Sequence, residues 1–564
     1  MLTGQQIEAV EAMLTEQYSH CWRSLTTPEM KLGAHSTYCM GWRIELTDAV
    51  VRAPNVHYLL IVVDQAFPNS QPRVYAPEMG SDFLWPHVEP AGLLCLRPSV
   101  VDATGSERIA LHLRDAISLL NLGDTECSAE FEREFGAYWA QRATEARDRL
   151  RVLSLVTPGG GSRQVSFRFD LKLGRITVAD NRSALSSWLH NAGEQASSQQ
   201  LLTAILVRLH RPWHPHEFPK TVAQAIEGLP DDLLRPALIQ RPRALILFEA
   251  LTPTGPVFAA VVAHTKKVDQ VKKGYRSLSR VPTQSIKLAL KQQPVDRVVV
   301  SRIDPAWIHG RGHSKELPNL QARTVAIIGC GAIGSEVALL LGKAGVGELL
   351  LIDHDDLQSA NLGRHLLGVE HIGLNKAQSV ASAIRQKLPH IKIQQIYQKK
   401  FERLTNDELQ RLSVMDLIVT AGLDLEGEAS FDTWRHALDF PPAYISTWSE
   451  AYGVAGHAVL LFGKDTLMSG FESERPIFRL TDWPTDAMHL IVEAGCGNSF
   501  QPHGATDLSP TISMCSRLVL DALLDQMPKS CRRVWFGDRD AVKNLGGNPL
   551  PSFTEEKAFR EFPW

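Results

Sequence analysis

The spacing of apolar residues changes several times over the first 150 positions, and each change predicts a new element. In the opening segment apolar residues recur at helical spacing, which predicts an amphipathic helix. Strand-like runs follow at 37–46, 57–64 and 73–78. Helical periodicity returns at 108–120 and 128–153. Together these elements predict one α+β domain over residues 1–155.

The middle of the chain is separated from this domain by a glycine-rich segment. Residues 157–162 include three successive glycines, which favour a turn or linker. Beyond them, strand-like runs lie at 164–179, 243–251 and 255–266. The run at 199–210 predicts a helix. No chemical motif stands out here, so we expect residues 163–300 to form a connecting α+β domain.

The third region has the clearest pattern. Residues 323–357 pass through a buried strand, a glycine turn, a helix and a second strand that ends in acidic residues. This order predicts a βαβ unit with a parallel sheet. We therefore expect residues 301–564 to form a Rossmann-like α/β domain.

Composition narrows the functional classes. Hydrophobic residues make up 44% of the 564 positions, enough for sizeable cores in several domains. A net charge of −3 suggests neither direct nucleic-acid binding nor attachment to an anionic membrane. No apolar run approaches the ~18 residues of a membrane span, and the first residues lack the pattern of a signal peptide. These features predict a cytoplasmic protein.

Gly329, Gly331 and Gly334 form the pattern G-x-G-x-x-G directly after the first strand of the βαβ unit. Such a turn lets the backbone approach a phosphate, and the N-terminus of the following helix favours negative charge. Asp353 ends the second strand, where a carboxylate accepts a ribose hydroxyl. The motif alone does not distinguish a dehydrogenase from an ATP-binding enzyme.

Polar residues after the second strand favour a triphosphate over a nicotinamide cofactor. They are Asp355, Asn361, Arg364, Lys376 and Asp424. Arg364 and Lys376 can neutralise phosphates and the charge that develops on leaving pyrophosphate. Asp424 follows a further strand, which suits a carboxylate that holds Mg²⁺ and equally suits a helix cap.

These motifs together resemble the adenylation domain shared by ubiquitin-activating enzymes and the ThiF/MoeB sulfur-carrier adenylyltransferases. The resemblance extends from roughly residue 300 to 540. It implies ATP, Mg²⁺, a protein C-terminal carboxylate as substrate and a homodimer. It also implies that an upstream arginine enters the partner subunit's site, and Arg302 and Arg311 are the candidates. Many members bind zinc through paired cysteines, but residues 467–476 contain none, so we expect no structural zinc.

An acyl-adenylate is reactive, and a thiol on a loop can capture it as a thioester. Cys496 lies between two glycines in the polar segment 493–510. That segment is similar to the crossover loop that carries the catalytic cysteine of ubiquitin-activating enzymes. Cys330 and Cys515 lie in apolar surroundings and are expected in the core. Cys496 is the predicted thioester site, with an incidental loop thiol as the alternative.

Cys95 belongs to a second motif. The sequence GLLCL at 92–96 matches the G-[IL]-[IL]-C-L signature of ubiquitin-conjugating enzymes, and the surrounding order of elements resembles that fold. Members of that family carry His-Pro-Asn shortly before the cysteine, whereas this chain has Trp-Pro-His at 85–87. His87 either donates a hydrogen bond to the oxyanion in place of the missing asparagine or is an ordinary loop histidine.

A chain with both domains resembles fused activating and conjugating proteins, as in the accessory protein of bacterial cyclic-oligonucleotide-based antiphage signalling systems (CBASS). The resemblance implies a relay in which ATP activates the C-terminus of a protein modifier. Cys496 then captures the acyl group, Cys95 receives it by transthiolation, and a target amine, expected to be lysine, attacks. In that family the modifier is a cGAS/DncV-like nucleotidyltransferase.

Three alternatives remain from the sequence. The first is a sulfur-carrier adenylyltransferase with a non-catalytic N-terminal docking domain, in which Cys95 is dispensable. The second is an inactive conjugating-like fold that only docks a ubiquitin-like protein. The third is a nicotinamide oxidoreductase, against which Arg364, Lys376 and Asp424 argue.

Overall fold

The computed structural model describes the chain except residues 1–3, 20, 33–36, 47–50, 81–84, 99–101, 144–149, 171, 196, 198–199, 240–242, 266, 272–273, 312–313, 472–477, 485–490, 493–498, 501–502 and 555–556. Cys496 lies outside the described residues, so its role stays a prediction. None of the described helices combines the length and the apolar character needed to cross a lipid bilayer.

The chain divides into two compact units. The first comprises Met1–Leu153, Pro158–Thr177 and Leu202–Ser301. The second comprises Ser154–Thr157, Val178–Leu201 and Arg302–Trp564. The predicted division into three domains, with boundaries at residues 155, 163 and 300, stays a prediction. The two compact units are defined by their internal contacts, and the first of them contains parts of both the first and the second predicted domain.

The N-terminal part of the first unit is an antiparallel meander with one helix before it and one after it. In both chain and sheet order its strands are β1 (Trp22–Ser24), β2 (Tyr38–Glu45), β3 (Tyr58–Asp64) and β4 (Arg73–Tyr75). The helices are α1 (Gly4–Tyr18) and α2 (Gly105–Leu120). Val10 and Leu14 of α1 are fully buried in a core with Trp42 of β2. The elements predicted up to residue 120 are confirmed.

The predicted helix over 128–153 is wrong in its extent. The structure has two helices, α3 (Asp124–Arg133) and α4 (Phe135–Ala143), and residues 151–154 form strand β5 (Arg151–Ser154). Helix α3 ends at Arg133, because the backbone of the next residue, Glu134, is non-helical. The apolar residues of both helices pack in the core of the next domain, and Trp139 Nε1 donates to Val298 O at 3.1 Å. Long-range packing thus decides where these helices end.

The middle of the chain forms a closed seven-stranded barrel with the order β10-β11-β5-β7-β6-β8-β9. Its other strands are β6 (Arg163–Asp170), β7 (Arg175–Ala179), β8 (Leu202–Arg208), β9 (Arg243–Thr252), β10 (Gly255–His264) and β11 (Val295–Arg302). The intervening helices are α5 (Arg182–Asn191), α6 (Val222–Ala225), α7 (Asp231–Leu238), α8 (Val268–Val271) and α9 (Thr283–Leu290).

The predicted helix at 199–210 is wrong, because these residues supply β8. This strand pairs antiparallel with β6 and parallel with β9. Residues 204–207 are buried, so both faces of the strand are apolar and the sequence shows a continuous apolar run. Such a run does not separate a buried strand from a buried helix by its period. The other strands predicted in this region are confirmed.

The second unit is built on an eight-stranded sheet with the order β14-β13-β12-β15-β16-β17-β21-β23. The first five strands are parallel and the last three join antiparallel. These strands are β12 (Thr324–Ile328), β13 (Glu348–Ile352), β14 (Lys392–Tyr397), β15 (Leu417–Ala421), β16 (Ala443–Ser449), β17 (Ala455–Leu461), β21 (Cys531–Phe536) and β23 (Ala558–Pro563).

Two short strand pairs, α5 from the segment Val178–Leu201 and eight further helices complete this unit within the described residues. The short strands are β18 (Thr481–Asp482), β19 (Ile491–Val492), β20 (Ser499–Phe500) and β22 (Asn548–Pro549). The helices are α10 (Pro305–Gly310), α11 (Leu317–Gln321), α12 (Ala332–Ala344), α13 (Lys376–Lys387), α14 (Asn406–Ser413), α15 (Leu425–Ala437), α16 (Ala505–Leu523) and α17 (Arg539–Asn544).

The sheet confirms the predicted α/β class and places a ligand crevice. Strand order reverses at β12, which has β13 on one side and β15 on the other. In open parallel sheets, ligands bind outside the carboxyl ends of the strands at such a switch point. Cys330 and Cys515 are fully buried in this unit, as predicted for core residues.

Candidate functional sites

The glycine turn lies at the switch point, and two of its glycines are required by packing. Gly329 has φ +91°, and a Cβ there would stand 2.4 Å from Ala421 O. A Cβ on Gly334 would stand 1.8 Å from Gly329 O, so the first turn of α12 lies directly against the strand end. Gly331 faces open space, which leaves its backbone accessible to a ligand.

Asp353 holds the glycine turn in place. Its Oδ2 accepts a hydrogen bond from Cys330 N at 2.7 Å, and its Oδ1 accepts one from Asp355 N at 2.8 Å. The residue is only 8% exposed. The contacts that the structure shows for Asp353 are therefore structural, and the ribose contact stays a prediction. A carboxylate oxygen has lone pairs for a second donor.

Two adjoining cavities of about 340 and 300 Å³ lie beside the turn. They share Gly331, Lys376, Ala421 and Gly422. The first is also lined by Gly329, Asp353, Asp355 and Asp424. The second is also lined by Asn361 and Arg364. The structure thus brings together every residue predicted for the nucleotide except Gly334, which lies beneath the turn.

The charged groups in these cavities are held by specific contacts. Lys376 Nζ lies 3.0 Å from Asp355 Oδ2, and its side chain is 12% exposed. Asn361 Oδ1 accepts from Gln358 N at 3.1 Å. Asp424 Oδ1 accepts from Gly427 N at 2.7 Å and caps α15, so the cap interpretation is confirmed. A carboxylate has a second oxygen, so the cap does not prevent metal binding.

Sequence reasoning missed several cations and acids in the first cavity, including Lys399, Lys400 and Glu402. A signal was available, because the two lysines follow β14 and the carboxyl ends of parallel strands meet at one edge of the sheet. His365 was also missed, although it directly follows Arg364. Its Nε2–H donates to Cys330 O at 2.8 Å and its Nδ1 accepts from Leu367 N at 3.1 Å. Burial lowers the pKa of His365, which keeps the ring neutral.

The donor set of the first cavity fits a hard divalent cation. Asp424 and Glu402 offer carboxylate oxygens there, and the lysines Lys376, Lys399 and Lys400 offer partners for phosphate oxygens. Mg²⁺ prefers a few carboxylates together with phosphate oxygens and water. Asp424, the predicted metal ligand, therefore lies in a cavity whose side chains suit Mg²⁺ and phosphate together.

The two candidate arginines differ in their surroundings. Arg302 is 7% exposed and forms a bidentate pair with Asp304, at 2.8 Å from Nε and 2.9 Å from Nη2. Its guanidinium also lies over the Trp307 ring at 4.9 Å. Arg311 is exposed at the end of α10, with φ +49°. Arg302 is thus engaged in buried contacts and Arg311 is exposed, and which of them enters a partner subunit stays a prediction.

Cys95 stands on a loop whose backbone is pinned on both sides. Leu94 N donates to Val74 O at 2.9 Å, which joins the loop to β4, and Cys95 N donates to His87 O at 2.8 Å. Gly92 makes this fold possible, because its φ is +79° and a Cβ would stand 2.2 Å from Ala76 O. Leu94 is buried and Cys95 is exposed. The thiol therefore points away from the core that its neighbour enters.

The Cys95 loop borders a groove of about 580 Å³ that also contains His87. The His87 ring is held by two acids beyond α2. Its Nε2 lies 3.2 Å from Glu130 Oε2, and its Nδ1 lies 3.7 Å from Glu134 Oε2. His87 N donates to Tyr138 Oη at 2.7 Å. His87 is thus an anchored residue at the cysteine and not a free loop histidine.

Comparison with known proteins assigns both regions. Residues 310–426 match the ThiF family, and residues 24–147 match prokaryotic E2 family B. This chain joins an E2-family domain to a ThiF-family domain. The ThiF match includes every residue that the sequence predicts to bind the nucleotide. The E2 match includes His87, Cys95 and the two acids that contact the histidine ring.

Individual relatives match different shares of this chain. The chain is 31% identical over 179 residues to the ATP-dependent ubiquitin transferase-like protein Cap2 of Pseudomonas aeruginosa, covering 30% of each chain. It is 23% identical over 497 residues to Cap2 of Escherichia coli, covering 79% of this chain and 82% of that protein. The matched segments span about a third of the length of the first curated relatives.

Among solved structures, E. coli MccB with ATP aligns at 18% identity and a TM-score of 0.30. The alignment covers 44% of this chain and 65% of that one. A likeness at this score supports no conclusion about this chain.

The electrostatic surroundings of Cys95 in the E2 domain disfavour its thiolate. Partial burial raises the pKa of the Cys95 thiol, and Glu89 and Glu134 raise this pKa further, whereas Arg73 opposes them. The buried thiols of the ThiF domain are more strongly suppressed, since burial raises the pKa of Cys515 to about 12. Cys95 is therefore accessible but mostly protonated at neutral pH.

The substitution Glu134→Gln should speed alkylation of Cys95 by iodoacetamide about three-fold at pH 7.5. Removing this carboxylate lowers the pKa of the Cys95 thiol, and the thiolate is the reactive form. Peptide mass spectrometry measures the rate. Glu132→Gln is the matched control, because Glu132 lies on α3 but does not line the groove. Equal rates in Glu134→Gln and the wild type would contradict the electrostatic account.

Proposed function

We propose that this chain activates a protein modifier with ATP and conjugates it to a target amine. The observation that carries the proposal is that one polypeptide holds both chemistries. A ThiF domain presents a glycine turn, Lys376 and Asp424 in one crevice, and an E2 domain presents an exposed Cys95 in a groove. Activation and conjugation are consecutive steps, because the acyl group activated in one domain is the group that the other domain would transfer.

The first step is adenylation in the ThiF domain. The modifier's C-terminal carboxylate attacks the α-phosphorus of ATP, an acyl–phosphate bond forms, and pyrophosphate leaves. The backbone N–H groups at Gly331 and at the N-terminus of α12 donate to phosphate oxygens, and Arg364 and Lys376 neutralise the charge on pyrophosphate. Asp424 would hold Mg²⁺, which when bound neutralises phosphate charge. No zinc is invoked.

The later steps transfer the acyl group between thiols. The Cys496 thiolate attacks the acyl-adenylate, a thioester forms, and AMP leaves. The Cys95 thiolate then attacks that thioester, and the Cys496 thiolate leaves. Finally an amine, expected to be a lysine, attacks the Cys95 thioester and forms an amide. Cys496 enters this scheme from the sequence alone, and Cys95 enters it with the support of its exposed position.

We propose a cGAS/DncV-like nucleotidyltransferase as the modifier, in cytoplasmic antiphage defence. This choice follows from the resemblance in the sequence, and the similarity to the ATP-dependent ubiquitin transferase-like protein Cap2 of Escherichia coli over 79% of the chain supports the conjugating activity that it requires. The active form is proposed to be a homodimer in which Arg311 reaches the partner subunit's nucleotide. Its exposure distinguishes it from Arg302.

Intact-mass spectrometry of the full chain tests the proposal. The protein is incubated with ATP, Mg²⁺ and a cGAS/DncV-like nucleotidyltransferase as the modifier. We expect an adduct of the modifier's mass that forms only with ATP and is released by excess thiol. Omitting ATP, or deleting the modifier's C-terminal residue, should abolish the adduct. An ATP-dependent adenylate without any thioester would instead favour a sulfur-carrier type of adenylyltransferase.

A further inference from the structure

His87 has an unusual backbone for a residue with a side chain. Its φ is +60°, a region that costs energy for residues other than glycine and is tolerated best by Asn, Asp and His. The surrounding contacts enforce this conformation, since its N–H donates to Tyr138 Oη and its carbonyl accepts from Cys95 N. The backbone thus ties the histidine directly to the cysteine that carries the predicted thioester.

The ring contacts fix which nitrogen carries the proton. A carboxylate only accepts hydrogen bonds, so the contact with Glu130 at 3.2 Å places a proton on Nε2. In the neutral ring, Nδ1 is then the basic atom. Nδ1 makes no hydrogen bond to Glu134, which lies 3.7 Å away. The basic nitrogen is therefore held beside the groove, with a carboxylate on either side of the ring.

We propose that His87 is the general base for attack of an amine on the Cys95 thioester, and that Glu130 and Glu134 are its positioning residues. This inference rests on the proposed conjugating function and specifies its last step. The acceptor it fits is an alkylamine such as lysine, which is charged at neutral pH and must lose protons to become an amide. The neutral ring's one N–H is engaged by Glu130, so the ring is unsuited to serve as the oxyanion donor.

The alkylammonium first gives one proton to solvent, and the neutral amine then reacts. The amine nitrogen attacks the thioester carbonyl carbon and a C–N bond forms. His87 Nδ1 takes the proton that the nitrogen loses, the C–S bond breaks, and the Cys95 thiolate leaves with the electron pair. The resulting imidazolium lies between Glu130 and Glu134, and both carboxylates stabilise it.

Other charged or titratable groups line this groove or lie near it. They are Arg97, Asp115 and Arg133 among the lining residues, Glu89 and Arg73 near the Cys95 thiol, and the Tyr138 hydroxyl. Arg133 Nη1 lies 2.6 Å from Glu130 Oε1 and so neutralises part of that acid. Glu134 has no such cation at this distance among the described ion pairs, so the groove keeps negative charge where an ammonium would enter.

Single-turnover discharge of the Cys95 thioester tests the proposal with two amines. Lysine is charged at neutral pH, whereas hydroxylamine is largely uncharged and needs a base far less. His87→Asn keeps a hydrogen-bond donor and tolerates the backbone, but it cannot take a proton. We expect its discharge to lysine to fall about 10²-fold and its discharge to hydroxylamine to stay within about three-fold of wild type. The matched control is His57→Asn, which removes another histidine paired with a glutamate, Glu78, outside the groove.

The pH dependence separates base catalysis from a structural role. As the pH is lowered, the discharge rate to lysine should fall in both proteins. The wild-type rate should depend on one more proton than the rate of His87→Asn. Equal losses with both amines would overturn the proposal in favour of an oxyanion donor or a structural role. Absence of any thioester in the wild type would instead refute the proposed function itself.

Discussion

Replacing Cys95 by alanine is expected to abolish conjugation while leaving adenylation intact. Among the described residues of this loop, the thiol is the only group suited to carry the acyl chain, and an alanine side chain offers no nucleophile. We expect the yield of amide-linked modifier to fall by at least about 10³-fold. ATP–pyrophosphate exchange should stay unchanged, because it occurs in the ThiF domain. Gel analysis after thiol treatment measures the amide product.

Two further variants sharpen this test. Cys95→Ser should trap the acyl group as an ester that resists thiols, which locates it on residue 95. Cys39→Ala is the matched control, because Cys39 is an exposed thiol in the same domain whose Sγ lies 3.6 Å from Val63 O and which does not line the groove. Undiminished amide formation in Cys95→Ala would show that the E2 domain only docks the modifier.

The nucleotide crevice was largely predictable from sequence because its residues follow strand ends. In a parallel sheet, chain segments that are far apart in sequence meet at one edge, so a motif that follows each strand identifies neighbours in space. Arg364 and Lys376 were placed in this way, and both line the cavities. The sequence did not reveal which contacts each side chain makes. An example is Asp353, which accepts two backbone hydrogen bonds within the glycine turn.

The E2 groove was predictable only in part. The sequence placed Cys95 on a loop and noted His87, but it gave no sign that Glu130 and Glu134 hold the ring. Those acids lie in a charged helical segment, a pattern that ordinarily indicates a solvated face. Their position depends on α3 and α4, whose aromatic residues are buried in a core with residues of the barrel strands. His87 and Glu130 are 43 residues apart, and the helices that position the acids pack into a different core. The local sequence therefore does not indicate this contact.

The boundary errors have the same physical origin. Residues 204–207 are buried within a closed sheet, so an apolar run without alternation was mistaken for a helix. Residues 151–154 follow a helical charge pattern but are taken into the barrel as a strand. In both cases strand pairing with distant residues outweighs local preference.

Lys376→Ala is expected to lower ATP–pyrophosphate exchange by about 10²- to 10³-fold. Its ammonium is nearly buried, lies 3.0 Å from Asp355, and borders both cavities, so it is placed to meet phosphates wherever the nucleotide lies. Loss of a preorganised cation removes stabilisation of the charge on departing pyrophosphate. Folding should be little affected, because Asp355 is half-exposed and water replaces the lost partner.

Helix α13 supplies a matched control for this prediction, since it begins with Lys376 and ends with Lys387. Lys387→Ala removes the same charge from the same helix about 16 Å away along its axis, and it should leave exchange unchanged. Thermal melting verifies that both variants are folded. If Lys376→Ala and Lys387→Ala lose exchange equally, the effect is one of net charge, and Lys376 has no specific role at the phosphates. If only Lys376→Ala loses it, the crevice at the strand ends is the adenylation site, and every later step on Cys95 depends on it.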